Sequence, residues 1–139
     1  HNALTATTPT ETNNNTFTLD NTAPALTEVT VASNNATPTQ AKVGDTVTVS
    51  FTTDGTQSGA PTATLAGHTA TVTAGSGHSY SATYTLVSGD TEGAVTFSIA
   101  ASDAAGNAMT AVTAVTDSST VTFDKTAATL VISNVSSYY

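Results

Sequence analysis

From Leu26 to Phe123 the chain alternates apolar and polar residues in short runs, none of which has a helical period. Thr46-Val47-Thr48-Val49-Ser50-Phe51 puts Val47, Val49 and Phe51 on one face. Tyr80 to Leu86 is apolar at every second position, and Val95, Phe97, Ile99 and Ala101 share a face of a third run. A period of two is that of a strand with one buried side. Further strands are expected at 26–32, at 61–66 and 69–73 around Gly67-His68, and over 108–123 with a break at Asp117-Ser118-Ser119. Turn-forming residues punctuate them: Ser33 to Pro38, Gly44-Asp45, Asp54-Gly55 to Ser58-Gly59, Gly75-Ser76-Gly77, Ser88 to Gly93, and Asp103 to Asn107. This spacing predicts an all-β fold, an antiparallel β-sandwich of about seven strands. Its expected core is light: Leu26, Val31, Val47, Val49, Phe51, Leu65, Tyr80, Tyr84, Leu86, Val95, Phe97, Ile99, Val121 and Phe123.

One stretch occurs twice. Thr18-Leu19-Asp20-Asn21-Thr22-Ala23-Pro24-Ala25-Leu26 returns as Thr122-Phe123-Asp124-Lys125-Thr126-Ala127-Ala128-Thr129-Leu130, at an offset of 104 residues. Asn2-Ala3-Leu4-Thr5-Ala6 matches Asn107-Ala108-Met109-Thr110-Ala111 at an offset of 105, so the two copies differ by one inserted residue. Self-similarity at the spacing of one small domain marks a tandem array. The expected division is residues 1–19 as the last strand of a preceding repeat, 20–123 as a complete repeat, and 124–139 as the linker and first strand of a following one.

Charged residues make up only 9% of the chain, threonine supplies about a quarter, and the formal net charge is −8 with Lys42 and Lys125 as the two cations. Threonine is β-branched and favours strands. Nucleic acid is excluded as a partner for want of Lys and Arg to replace phosphate counterions, an anionic membrane surface is disfavoured, and no run approaches a membrane span. Cysteine is absent, so disulfides and thiolate metal sites are excluded. No signal peptide is visible; the composition fits a secreted or cell-surface protein, whose targeting signal then lies outside these residues.

The Asp-x-Thr-Ala-Pro linker at 20–24, the Gly44-Asp45-Thr46-Val47 turn and strand, and the Ser102-Asp103-Ala104-Ala105-Gly106-Asn107 turn together resemble bacterial Ig-like tandem repeats of large extracellular adhesins. The likeness covers 20–123 and part of both flanks, and it departs from the pattern at Ala128, where the first linker has Pro24. It implies an Ig-like sandwich acting as a structural spacer in a surface stalk or fibre, with calcium between repeats stiffening the rod.

In an Ig-like topology the loops at 52–59 and 103–107 lie at the end where the chain enters, beside Asp20, and those at 44–45 and 88–93 at the end where it leaves, beside Asp124. Asp20, Asp54 and Asp103 then gather at one end, and Asp45, Asp90, Glu92 and Asp124 at the other. Converging carboxylates repel unless a cation intervenes, and hard oxygen donors in turns suit Ca²⁺. The candidate ligands are Asp20, Asp103 and Asn107 for the entry end, with Asp124 and Asp90 for the exit end. Against this stands the ordinary role of Asp and Asn in turns, which is to cap backbone amides.

His68 and His78 flank the 69–77 segment and are read as solvated loop residues. Tyr80 and Tyr84 are read as core, while Tyr138 and Tyr139 fall in the following repeat and His1 in a turn of the preceding one. Sequons stand at Asn14, Asn35 and Asn134. No Gly-x-Ser-x-Gly elbow or buried acid–base pair is visible, so an enzyme is not expected. The expected partners are neighbouring repeats of the same protein or other copies of the chain. Two alternatives accompany the spacer reading: a fibre subunit joined by strand exchange through the flanks, and a module binding glycan or protein by its loops.

Overall fold

The runs that alternate most cleanly become the longest strands. The computed structural model describes residues 18–133, with β1 (Leu26–Ser33), β2 (Gln40–Ala41), β3 (Thr46–Thr53), β4 (Thr62–Leu65), β5 (His68–Thr69), β6 (Thr71–Ala74), β7 (Ser79–Thr85), β8 (Gly93–Ala94), β9 (Phe97–Ala100) and β10 (Thr122–Phe123). One antiparallel sheet runs β1-β3-β7-β6. The ladders β2-β10-β8 and β5-β4-β9 lie opposite it. The continuous stretch 93–100 joins them, since Val95 donates to Val121 and Thr96 accepts from Ala66. The resulting strand order is that of an Ig-like β-sandwich. Among the described residues the β2–β10 pair alone is parallel.

Inward residues of both sheets meet in one core: Val29, Val31, Val47, Val49, Phe51 and Ala82 from the first, and Ala41, Ala63, Leu65, Phe97, Ile99, Val121 and Phe123 from the second. Ten of the fourteen expected core residues are buried, and Leu26, Tyr80, Tyr84 and Val95 pack against the core half-buried. Tyr80 stacks on Phe51, ring centroids 5.5 Å apart. Leu26 sits out of phase because the β1–β3 register shifts between Leu26 and Glu28. Val29, and not Leu26, therefore shares the inward face with Val31.

The closing strand is shorter than expected. Of 108–123 only Thr122–Phe123 forms a ladder, preceded by isolated bridges from Val112 to Ile99 and from Ala108 to Ser102. The intervening segment does different work. Val29 exchanges bonds with Thr116, donating to Oγ1 at 3.0 Å and accepting from its amide at 2.8 Å, and Val31 donates to Ser119 Oγ at 2.8 Å. These contacts use the free edge of β1, where an unpaired strand would otherwise invite association. The β4–β5 hairpin turns through Ala66 and Gly67, both at positive φ (50° and 80°), as a two-residue type I′ turn requires.

β1 leaves the end marked by Thr53 and reaches the end marked by Val47. Eight residues of strand separate these ends by about 25 Å, so the entering and leaving segments dock on opposite ends of the sandwich.

Candidate functional site

Both ends are built from turns whose carboxylates are satisfied by nearby amides. At the entry end Asp20 Oδ1 accepts from the Thr22 amide at 3.0 Å, an Asx turn that fixes the linker locally. Asp54 and Ala25 bond both ways: the Ala25 amide donates to Asp54 Oδ1 and the Asp54 amide donates to the Ala25 carbonyl, each at 3.0 Å. Asn107 Nδ2 reaches the carbonyls of Asp20 (3.2 Å) and Thr22 (3.4 Å) while donating to Asp103 Oδ2 at 2.8 Å. The Asn107 amide donates to Asp103 Oδ1 at 2.8 Å. The Asn107 side chain and the amides of Asn107, Gly106 and Ala105 hold the Asp103 carboxyl below its usual range, against the opposing effect of burial.

The expected trio of Asp20, Asp103 and Asn107 is therefore brought together, and Asp20, Asp54 and Asp103 line one pocket with Gln57. Gln57 Nε2 donates to the Gly55 carbonyl at 2.8 Å, but its buried Oε1 has no partner. The donor set is all oxygen, as calcium prefers. Among the described residues no group of three or more His, Cys, Asp or Glu side chains is gathered closely enough to hold a metal ion by themselves.

The exit end holds a cation of its own. Lys125 Nζ donates to the carbonyls of Asp90 (2.9 Å) and Ser88 (3.2 Å). Glu92 Oε1 accepts from the Lys125 amide and from Thr126 Oγ1, each at 2.8 Å. The Thr126 hydroxyl, then the Lys125 amide, pull the Glu92 carboxyl below its usual range, outweighing the opposing effect of burial. Asp124 Oδ1 accepts from the Thr126 amide at 2.8 Å, repeating the Asx turn of Asp20 and Thr22. Asp45 is bonded by Asn35 Nδ2 (2.7 Å) and the Lys42 amide (2.9 Å), both lowering its pKa.

Asp90 is turned into the sandwich. It is 4% exposed and accepts from the Val87 amide (2.8 Å) and the Tyr84 hydroxyl (3.3 Å), with His68 Nε2 lying 2.9 Å from its Oδ1. His68 stacks on Tyr84, ring centroids 5.0 Å apart. Burial, then the charge and hydrogen bond of Asp90, raise the Tyr84 phenol. The sequence reading treats His68 as solvated; half of its side chain is covered because β5 and β7 bring it over Tyr84. Lys125 and Gln57 carried only faint sequence signals, a rare cation next to a linker Asp and an amide in a loop. His1, Tyr138, Tyr139 and the sequons at Asn14 and Asn134 lie outside the described residues.

These bonds make acid the natural denaturant. Asp45, Glu92, Asp103 and Asp117 all have folded-state pKa values below their ordinary ones. Their stabilisation is present above the ordinary carboxylate pKa of about 4 and is lost as pH falls through the lower folded values. Melting temperature is expected to be flat from neutral pH down to about 5 and to fall steeply below about 4. A flat profile down to pH 2 would contradict these assignments.

Compared with protein-family models, curated proteins and solved structures, the chain matches none.

Proposed function

We propose that the chain is a structural spacer repeat from the stalk or surface fibre of an extracellular bacterial adhesin, without chemistry of its own. One observation carries this reading: the two copies of the repeated motif occupy opposite environments. Phe123 is 1% exposed in the core, whereas Leu19, its counterpart 104 residues earlier, is 92% exposed. Leu130, the counterpart of half-buried Leu26, is 86% exposed. Core-type residues beyond both ends of a finished sandwich are accounted for by neighbouring sandwiches. The threonine-rich, acidic composition is in keeping with an extracellular setting. Immunogold labelling of intact producing cells with antibody against residues 26–124 is expected to decorate thin surface projections. Label confined to the cell interior would refute the reading.

Calcium at the entry end is a second reading, favoured by the orphaned Gln57 Oε1 beside three carboxylates. It requires those carboxylates to turn from their present amide partners. Isothermal calorimetry with Ca²⁺, paired with melting in chelator, is the test. This reading expects a binding isotherm and a higher melting temperature, both lost in Asp20→Ala, a substitution at an exposed position. No heat and no shift leave the end a purely hydrogen-bonded joint.

A further inference from the structure

We infer that a single linker docks on two sandwiches at once, so that adjacent repeats form one rigid body held by the linker's own hydrogen bonds. This rests on the tandem-repeat reading above. The structure contains both halves of such a joint: residues 20–25 as the incoming linker of one end and residues 124–129 as the outgoing linker of the other. Superposing them by the 104-residue offset aligns Asp20 with Asp124, Thr22 with Thr126 and Ala25 with Thr129.

The two halves have the same local turn, since the Thr22 and Thr126 amides each bond the Asp two residues before. They use different atoms for docking. The exit end takes the amide of Asp124 (to the Ala41 carbonyl), the amide and ammonium of Lys125, and the hydroxyl of Thr126. The entry end takes the carbonyls of Asp20 and Thr22 and both backbone groups of Ala25. Mapped onto one linker, no donor or acceptor is demanded twice. Donors face the sandwich behind and carbonyls face the sandwich ahead, with the Ala25 counterpart fixed by both its N–H and its C=O. No residue between Asp124 and Thr129 is then left as a hinge longer than the Ala127-Ala128 pair, and at the other joint Pro24 takes one of those places and fixes its own φ. A linker pinned on both sides transmits orientation, whereas a free one of this length would let the sandwiches swing.

The test is a two-repeat chain, residues 1–129 followed directly by residues 26–139, which keeps the natural register. NMR alignment and amide exchange are read with and without EDTA. The expected result is one common alignment for both sandwiches, protected amides at Lys125 and Thr129, and no change in chelator. Glu92→Ala in the first sandwich should lower Lys125 protection about tenfold, the effect of one lost charge-assisted bond, and leave Thr129 protected. Asp54→Ala in the second sandwich should do the reverse. Two folded sandwiches that align independently overturn the shared grip and leave the spacer reading standing. Common alignment that vanishes in EDTA overturns it in favour of a metal joint. A second sandwich that fails to fold overturns both this inference and the repeat reading beneath it.

Discussion

Phe123→Ala is expected to cost about 3–5 kcal/mol, the usual result of emptying a fully buried aromatic site. Phe123 is 1% exposed and lies on β10, whose two residues pair with β2 on one side and β8 on the other. Its ring therefore holds together two strands too short to persist alone, in a core otherwise made of Val, Ala, Leu and Ile with few aromatics. Small domains have only about 5–15 kcal/mol in total, so the melting temperature should fall on the order of 20 °C. Phe123→Leu is the control. The other copy of the motif carries Leu19 at this position, and an apolar exchange of modest volume change costs less than about 1.5 kcal/mol. Equal losses for Ala and Leu would show that the aromatic ring, and not filled volume, is what the site requires. Chemical denaturation of the three proteins, with m-values compared, separates lost stability from a changed unfolded state.

The strands legible in the sequence are those where β-branched and aromatic residues alternate with threonine or serine. β3 and β7 are read almost to the residue because Val47, Val49 and Phe51, and Tyr80, Ala82 and Tyr84, keep a strict period of two. The segment 108–121 keeps no such period: its half-buried Val112 and Val115 are three apart, which no single strand face accommodates. Its role in covering the β1 edge depends on Thr116 and Ser119 hydroxyls, which look like any others in a threonine-rich chain. β2 is two residues long with one buried alanine, and Ala41, Ala63, Ala70 and Ala82 enter the core without announcing themselves, because alanine is common on both faces.

The grouping of acidic residues at two ends follows from topology, since strand direction alternates and every turn must fall at one end or the other. Asp20, Asp54 and Asp103 meet as that logic requires. What each carboxylate bonds to is set by loop backbone geometry, which has no period to read. Asp90 looked like a surface ligand in Ser88-Gly89-Asp90-Thr91-Glu92-Gly93, yet the turn folds it back on the Val87 amide and beneath His68. The Asp90 backbone carbonyl meanwhile accepts from Lys125 Nζ.

Asp90→Ala is accordingly expected to destabilise the sandwich, by about 1–3 kcal/mol for stranded polar partners, while leaving the exit linker docked. The carboxylate is almost fully buried, is the shared acceptor of Val87 and Tyr84, and lies against the His68 imidazole. Lys125 bonds the Asp90 backbone carbonyl and not its side chain, so that contact survives the substitution. Asp90→Asn separates shape from charge. Its amide oxygen can still accept from Val87 and its NH₂ can donate to a neutral imidazole, so it should recover more than half of the loss. Tyr84 gives a readout that mere unfolding does not imitate. Burial is the largest cause of its raised pKa, followed by the Asp90 charge, so in both variants the phenol should ionise at lower pH than in the parent yet stay above the ordinary tyrosine value of about 10. A raised folded pKa gives a stabilisation that is complete below that ordinary value and lost as pH rises through the folded one. The Tyr84-linked loss of stability above about pH 10 should therefore be smaller in the variants than in the parent. Ultraviolet titration of phenolate absorbance checks this directly: a Tyr84 titration unmoved by Asp90→Asn would mean that burial alone sets it and that Asp90 serves only to hold the Val87 turn.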